Sequence, residues 1–170
     1  MTIKRYTLAV LVHNQFGVLN RVTSMFRRRR FNIDNLTVSE TESPDYSRIT
    51  VQFAGEEVTK QQLVNQLYKL PDICSIRELD SDSAISFELL LIKLRNDPAS
   101  RDSIRAAAEA FKAETVDYTR ESIVLRVTAD SIRIDNFIDL MRDHDILEIC
   151  RTGVVSLERG AETIRSGMLV

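Results

Sequence analysis

Glycine is scarce in this 170-residue chain, with five in all, at positions 17, 55, 153, 160 and 167. None falls in a G-x-x-x-x-G-K-[ST], G-x-G-x-x-G or G-x-S-x-G pattern, so the loops that cradle nucleotide phosphates or present a nucleophilic serine are missing. Histidine and cysteine occur only twice each, as His13, His144, Cys74 and Cys150. No Cys/His/Asp cluster has metal-ligand spacing, and no structural metal site is expected. Both cysteines lie in apolar runs and read as buried, inert thiols. No apolar run approaches the ~20 residues of a membrane span. The opening Met-Thr-Ile-Lys-Arg-Tyr lacks the apolar core of a signal peptide. A net charge of −2 argues against broad affinity for nucleic acid or anionic membrane. These absences predict a cytoplasmic protein with reduced thiols that is not an enzyme by itself.

What is present is a globular composition, 44% hydrophobic and 28% charged, in a length that suits one ordinary domain or two small ones. The most informative stretch lies near the start. Residues 6–12 form an apolar run that ends at His13-Asn14-Gln15. Gly17 follows, and then Val18, Leu19, Val22, Met25 and Phe26 recur at the spacing of one helix face. The pattern predicts strand, polar turn and helix. The first amides of such a helix lack intrahelical partners and sit at its positive end, where a carboxylate is favoured. Gly17 lets a ligand approach the backbone, and Asn14 offers a donor and an acceptor beside it. A second amide side chain, Asn32, opens the next apolar run. A small zwitterion fits this set. So does a plainer reading, in which Asn14 caps the helix and Gly17 eases a tight turn; the two are compatible, since both use the same amides.

Further along, residues 31–38 read as a strand whose alternation changes phase between Ile33 and Leu36, which predicts a bulge near Asp34-Asn35. Glu42-Ser43-Pro44-Asp45 is turn chemistry, and alternation resumes at Ile49, Val51 and Phe53, giving a hairpin. Thr59 and Gln62 have capping-box spacing ahead of Leu63, Val64, Leu67 and Leu70, with Pro71 as the stop. Residues 73–79 supply a fourth strand. The order is βαββαβ, the ferredoxin-like arrangement.

Asp80-Ser81-Asp82-Ser83 is short and polar, and the same order restarts after it: a strand over 87–94, a helix opened by Asp97-Pro98 and Ser100, strands over 116–118 and 123–127, a helix capped by Asp130-Ser131, and a closing strand over 146–157. The expected organisation is α+β with two tandem ferredoxin-like units, over residues 1–80 and 84–160, and a loose tail over 161–170. Arg27 to Arg30 form the one charge block. They match the negative end of the first helix, and they offer a protein partner a more credible surface than a nucleic acid, for lack of interleaved aromatics.

Asn14-x-x-Gly17-Val18-Leu19-x-Arg21-Val22, followed by Phe31-Asn32-Ile33-x-Asn35-Leu36-Thr37-Val38, resembles an ACT domain, and in particular the regulatory subunits of acetolactate synthase (acetohydroxyacid synthase). Ser47-Arg48-Ile49-Thr50, Gln66-Leu67-Tyr68-Lys69-Leu70, Arg151-Thr152-Gly153-Val154-Val155 and Arg159-Gly160 extend the similarity over nearly the whole chain. The resemblance implies a non-catalytic subunit of branched-chain amino acid biosynthesis. It would pair as a homodimer through its ACT domains and bind a catalytic large subunit that carries thiamine diphosphate, Mg²⁺ and FAD. It would raise that subunit's activity and confer feedback inhibition. The implied effector is valine, with its carboxylate at the amides of Gly17, Val18 and Leu19, its ammonium at the Asn14 or Asn32 side-chain oxygen or a strand carbonyl, and its side chain against Val18 and Ile33. His13 stands where related motifs often carry Glu and is expected to face solvent. The alternative is a free-standing ACT-domain amino-acid sensor or transcriptional regulator.

Overall fold

The computed structural model describes residues 3–80 and 82–168, and the chain divides into two compact units. Unit 1 holds residues up to Ser86 together with the segment from Val155 onward, and unit 2 runs from Phe87 to Val154.

Unit 1 is built on β1 (Lys4–His13), α1 (Val18–Arg28), β2 (Asn35–Glu40), β3 (Tyr46–Gly55), α2 (Glu57–Leu67) and β4 (Ile73–Glu78). Its antiparallel sheet has the order β2-β3-β1-β4, which leaves β2 at an edge. Along β1, Leu8, Val10 and Val12 share a core with Val18, Val22, Met25 and Phe26 of α1 and Leu63 and Leu67 of α2. The period-2 and period-3.6 patterns therefore meet on one side of the sheet. Alternate β1 residues, Ala9 and Leu11, are equally buried. On that opposite face Ala9 packs with Leu79, Ala84 and the partly buried Ile164.

The segment from Val155 onward groups with unit 1 in this division, whereas the sequence pattern divides the chain into 1–80, 84–160 and a tail over 161–170. The closing strand expected over 146–157 is two strands, β8 (Ile146–Arg151) and β9 (Val155–Glu158), the second of which returns to the start of β5 (Ala84–Arg95). Arg48 Nη2 donates to the Ser156 carbonyl at 2.7 Å, and Ser86 Oγ lies 2.7 Å from Ser156 Oγ. A short 3₁₀ turn (Ile164–Gly167) follows, with Thr163 and Ser166 in a capping box. The apolar residue that anchors it, Ile164, is isolated in sequence and has no periodicity to announce it. Ser81 of the polar linker, and residues 169–170 of the tail, lie outside the described residues.

Two further details differ from expectation. No bulge interrupts β2: its register with β3 runs unbroken from Asn35↔Gln52 to Glu40↔Ser47. The phase change at Ile33 marks the strand's start, since Phe31 and Ile33 pack on the core from the preceding turn. The irregularity falls instead between Leu11 and Val12, where β1 pairs with β4. Helix α2 starts at Glu57, two residues before the expected cap. Its first turn is held by Glu57, which accepts from Tyr6 Oη at 3.1 Å and pairs with Lys60 Nζ at 2.5 Å.

Unit 2 repeats the order with most of β5, α3 (Arg101–Phe111), β6 (Glu114–Tyr118), β7 (Ser122–Ala129), α4 (Ser131–Met141) and β8, in a sheet ordered β6-β7-β5-β8. Leu90, Ile92 and Leu94 meet Ile104, Ile134, Phe137 and Met141 in its core. Asp130 caps α4 as expected, accepting from the Arg133 amide at 2.9 Å. Glu88 is 3% exposed and is held by both Arg151 Nε and Nη2, at 2.7 and 2.8 Å, and by Ser131 Oγ. Arg151 also reaches Asp135 at 2.8 Å, and these bonds raise its pKa. Cys74 is buried, which pushes its thiol pKa up, whereas Cys150 is exposed, because β8 presents it on the sheet face away from α3 and α4.

Breaking a buried pair strands the remaining charge. Arg151→Met, which leaves the buried Glu88 with only Ser131, is therefore expected to destabilise unit 2 by about 1–3 kcal/mol, less than for a fully buried pair because Arg151 is 34% exposed. Urea melts of the full chain check this, and Glu88→Gln with Arg151→Met should recover part of the loss.

Candidate functional site

The loop between β1 and α1 is the centre of the site. Gly17 stands at φ 82°, ψ −2° and begins α1, and no side chain caps the helix. An L-residue adopts that left-handed conformation at a cost, which accounts for glycine here. The first i→i−4 bond of the helix runs from the Arg21 amide to the Gly17 carbonyl. The amides of Val18, Leu19 and Asn20 therefore precede the ladder. Val18 N turns back to the Gln15 carbonyl at a long 3.3 Å. No acidic residue lies in the first turn, so the positive end of the helix is not neutralised from within.

Asn14 is not the helix cap. Its Nδ2 donates to the Pro44 carbonyl at 2.9 Å and to Glu40 Oε1 at 3.1 Å, while its Oδ1 accepts from Ser47 Oγ at 3.0 Å. Its backbone amide reaches the Asp45 carbonyl at 2.7 Å. Asn14 thus fastens the β1–α1 loop to the β2–β3 hairpin. On the other flank, His13 N donates to the Asp72 carbonyl at 2.9 Å. Arg21 of α1 grips the Asp72 carboxylate with two bonds, at 2.6 and 2.9 Å, which holds the carboxyl below its usual range. The imidazole of His13 stacks on Tyr46 with centroids 5.5 Å apart.

Between these supports lies a cavity of about 100 Å³, lined by Val12, His13, Asn14, Gln15, Val18, Leu19, Val38, Ser47 and Ile49. Of the residues expected at the site, Asn14, Val18 and Leu19 line it, and Gly17 forms the turn that opens the helix. His13, expected to face solvent, lines it too. Asn32 and Ile33 are elsewhere in the same chain: Asn32 Nδ2 meets Asp34 Oδ1 at 3.2 Å, and Ile33 packs on the core. Val38, Ser47 and Ile49 come from the hairpin, and nothing in their sequence neighbourhood marks them as neighbours of residue 14; strand register does that. Leu19 and Val38 remain 42% and 40% exposed beside the open β2 edge. Among the described residues, no group of three or more His, Cys, Asp or Glu is placed to hold a metal.

A βαββαβ unit with a left-handed glycine at the strand-to-helix turn and a small pocket against its edge hairpin has the form of an ACT domain. Comparison with known proteins agrees. Residues 8–75 match the AHAS small subunit-like ACT domain family, and residues 87–160 match the family described as the small subunit of acetolactate synthase. The acetolactate synthase small subunit of Mycolicibacterium smegmatis is 39% identical over 94% of this chain and 94% of its own length. That of Haemophilus influenzae is 35% identical over 94% and 99%. The crystal structure of the acetolactate synthase small subunit from Thermotoga maritima superposes with a TM-score of 0.86 at 32% identity, covering 94% of this chain and 99% of that one. The chain belongs to the acetolactate synthase small-subunit family, a regulatory family of branched-chain amino acid biosynthesis.

The Arg21–Asp72 bond should set an acid limit on the fold of unit 1. Because Asp72 titrates lower when folded, its pair stabilises above the ordinary carboxylate pKa of about 4 and is lost as pH falls through the depressed value. Asp72→Asn is expected to lower the melting temperature at neutral pH, and the gap to the native chain should close in acid. Gly17→Ala should cost about 1–2 kcal/mol at neutral pH, because an L-residue is strained in this left-handed turn and its Cβ would stand 3.3 Å from Arg21 Nη1.

Proposed function

We propose that this chain is the regulatory partner of an acetolactate synthase catalytic subunit, raising its activity and returning feedback inhibition by a branched-chain amino acid, valine, bound at the β1–α1 loop. The observation that carries the effector reading is the opening of α1. Its amides are uncapped, Gly17 exposes them, and Val18, Val38 and Ile49 provide an apolar wall beside them. The carboxylate would sit at the Gly17–Leu19 amides, at the positive end of the helix and ahead of its hydrogen-bond ladder. The condensation of 2-oxo acids would occur on the partner, with its thiamine diphosphate, Mg²⁺ and FAD. The relatives' shared description as small subunits supports a larger catalytic companion.

A cavity of about 100 Å³ falls short of the roughly 300 Å³ at the lower end of ligand pockets. It opens beside an edge strand with exposed Leu19 and Val38. Both features support a site completed by a second copy paired side by side through α1 and β2. Asn14 and Gly17 would come from one protomer and Asn32 and Ile33 from the other. A two-fold pair makes two such sites.

Feedback requires unequal affinity for two states of the enzyme, since equal binding shifts nothing. Co-purification of the full chain from its native cytosol should bring down a thiamine-dependent enzyme whose activity rises with this chain and falls with added valine. A chain recovered with DNA, or alone and without effect on that enzyme, would support the free-standing sensor instead. The shared site has its own test. Asn14→Ala and Asn32→Ala dimers should each bind valine weakly, by about 1–3 kcal/mol. After subunit exchange, roughly a quarter of all sites should regain native affinity, because each mixed dimer holds one site that keeps both asparagines. Exchange confirmed by mass spectrometry with no such phase would contradict the shared site.

A further inference from the structure

Unit 2 reproduces the loop of unit 1 down to individual hydrogen bonds. β1 ends with His13 opposite Tyr46, and β5 ends with Arg95 opposite Ser122. Next in each case comes an asparagine. The Asn14 amide donates to the Asp45 carbonyl, and the Asn96 amide to the Glu121 carbonyl at 2.9 Å. The side chain Nδ2 of Asn14 reaches the Pro44 carbonyl, and that of Asn96 reaches the Thr119 carbonyl. Both asparagines thus fasten the strand end to the neighbouring hairpin. The strand positions correspond as well: Val38 opposes Ile49 in unit 1, and Thr115 opposes Leu125 in unit 2.

At the corresponding place, between α3 and the β6–β7 pair, lies a cavity of about 420 Å³. Its floor is apolar, with Ile104, Ala108, Ile123 and Leu125 all buried. The opening of the helix differs from α1 in a way that changes the chemistry. Ser100 takes the place of the left-handed glycine with φ −102°, and Asp102 lies in the first turn. An anion at the α3 amides would meet that carboxylate. The residue at the place of Val18, first in the helix, is Arg101. Its Nε donates to Asn96 Oδ1 at 2.8 Å, and Arg101 is among the residues that line the cavity. Asn96 is 4% exposed, so the orienting bond is built into the unit. Arg105 and Tyr118 also line the space, as does Glu109, which pairs with Arg105 at 3.6 Å.

We propose that unit 2 holds a binding site of its own, for a small molecule with one carboxylate and a short apolar body, in the cavity between α3 and the β6–β7 pair. The carboxylate meets the Arg101 guanidinium, which offers paired donors in a plane. The apolar body lies on Ile104, Ile123 and Leu125. A volume of about 420 Å³ is within the range of ligand pockets. Branched 2-oxo acids and branched amino acids share this chemistry. Among the described residues Glu109 is the one carboxylate lining the cavity, and it stands 3.6 Å from Arg105, so the lining offers more to a carboxylate than to an ammonium.

The test is nuclear magnetic resonance of the ¹⁵N-labelled full chain, reading the Arg101 Nε–H and the amides of Thr115 and Leu125. It uses three probes, 2-oxoisovalerate, L-valine and, as an ionic control, sodium chloride at matched strength. The readout lies wholly in unit 2, so it is unaffected by whether the unit 1 loop binds an effector. Saturable movement of these signals at millimolar 2-oxoisovalerate or valine, absent with chloride, is the expected result, and the probe acting at the lower concentration identifies the source. Arg101→Gln should weaken the effect about tenfold or more by removing the charged donors. Thr115→Trp, on an exposed strand position, should abolish it by filling the mouth. Movement equal to that in chloride, or undiminished in both variants, would overturn the proposal. Signals that follow protein concentration rather than ligand would overturn it too, by making the cavity a contact between copies.

Discussion

The hold that Asn14 has on the β2–β3 hairpin is the constraint from which the rest of unit 1 follows. One side chain spends both its donor and its acceptor on the hairpin, through Pro44, Glu40 and Ser47. The loop after β1 cannot then move independently of the edge strand. The start of α1 is fixed against β2, and the first helical amides, Leu19 and Val38 are brought to one edge of the sheet. Arg21 and Asp72 supply the opposite clamp, tying α1 to the β4 side. A ligand at the amides would meet a loop held on both flanks, with β2 at the edge of the sheet beside it.

Unit 2 keeps the clamp and changes what it holds. Asn96 fastens β5 to the β6–β7 turn in the same way, but the helix beyond begins with Arg101 instead of a bare glycine turn. Anion recognition by backbone amides needs an uncapped helix and a residue free to adopt a left-handed turn. Recognition by guanidinium needs only that the side chain be oriented, and a buried asparagine does that. The two halves share almost no residue identity, yet the fold repeats the geometry of the loop and varies its chemistry.

Much of this was legible in the amino-acid order. The alternation of Ile49, Val51 and Phe53, the helical spacing of Val18, Val22, Met25 and Phe26, and the Asp130 cap each announce their element through local periodicity or capping chemistry. Gly17 and Asn14 stand out because a glycine and an amide side chain at a strand-to-helix junction are informative in isolation. What was hidden depends on long-range register. Val38, Ser47 and Ile49 reach the pocket only because β2 and β3 pair as they do. Ile164 returns to Ala9 across the length of the chain, a contact that no local pattern carries. Helix α2 begins before the capping-box pattern, and Glu57 in its first turn is bonded to Tyr6, 51 residues away, a contact with no local signal. Cys150 is exposed for a related reason: an apolar run does not say which face of a sheet is covered.

In the proposed function, the uncapped α1 amides at Gly17 receive the carboxylate of an amino-acid effector. Calorimetric titration of L-valine into the full native chain and into Gly17→Asp tests it most directly. The substitution sets a second carboxylate where the ligand's own must lie, adding a clash to like-charge repulsion. With the fold verified by circular dichroism, the native chain should bind valine in the micromolar to millimolar range and the variant should release no binding heat. Equal affinity in the two proteins would contradict the account.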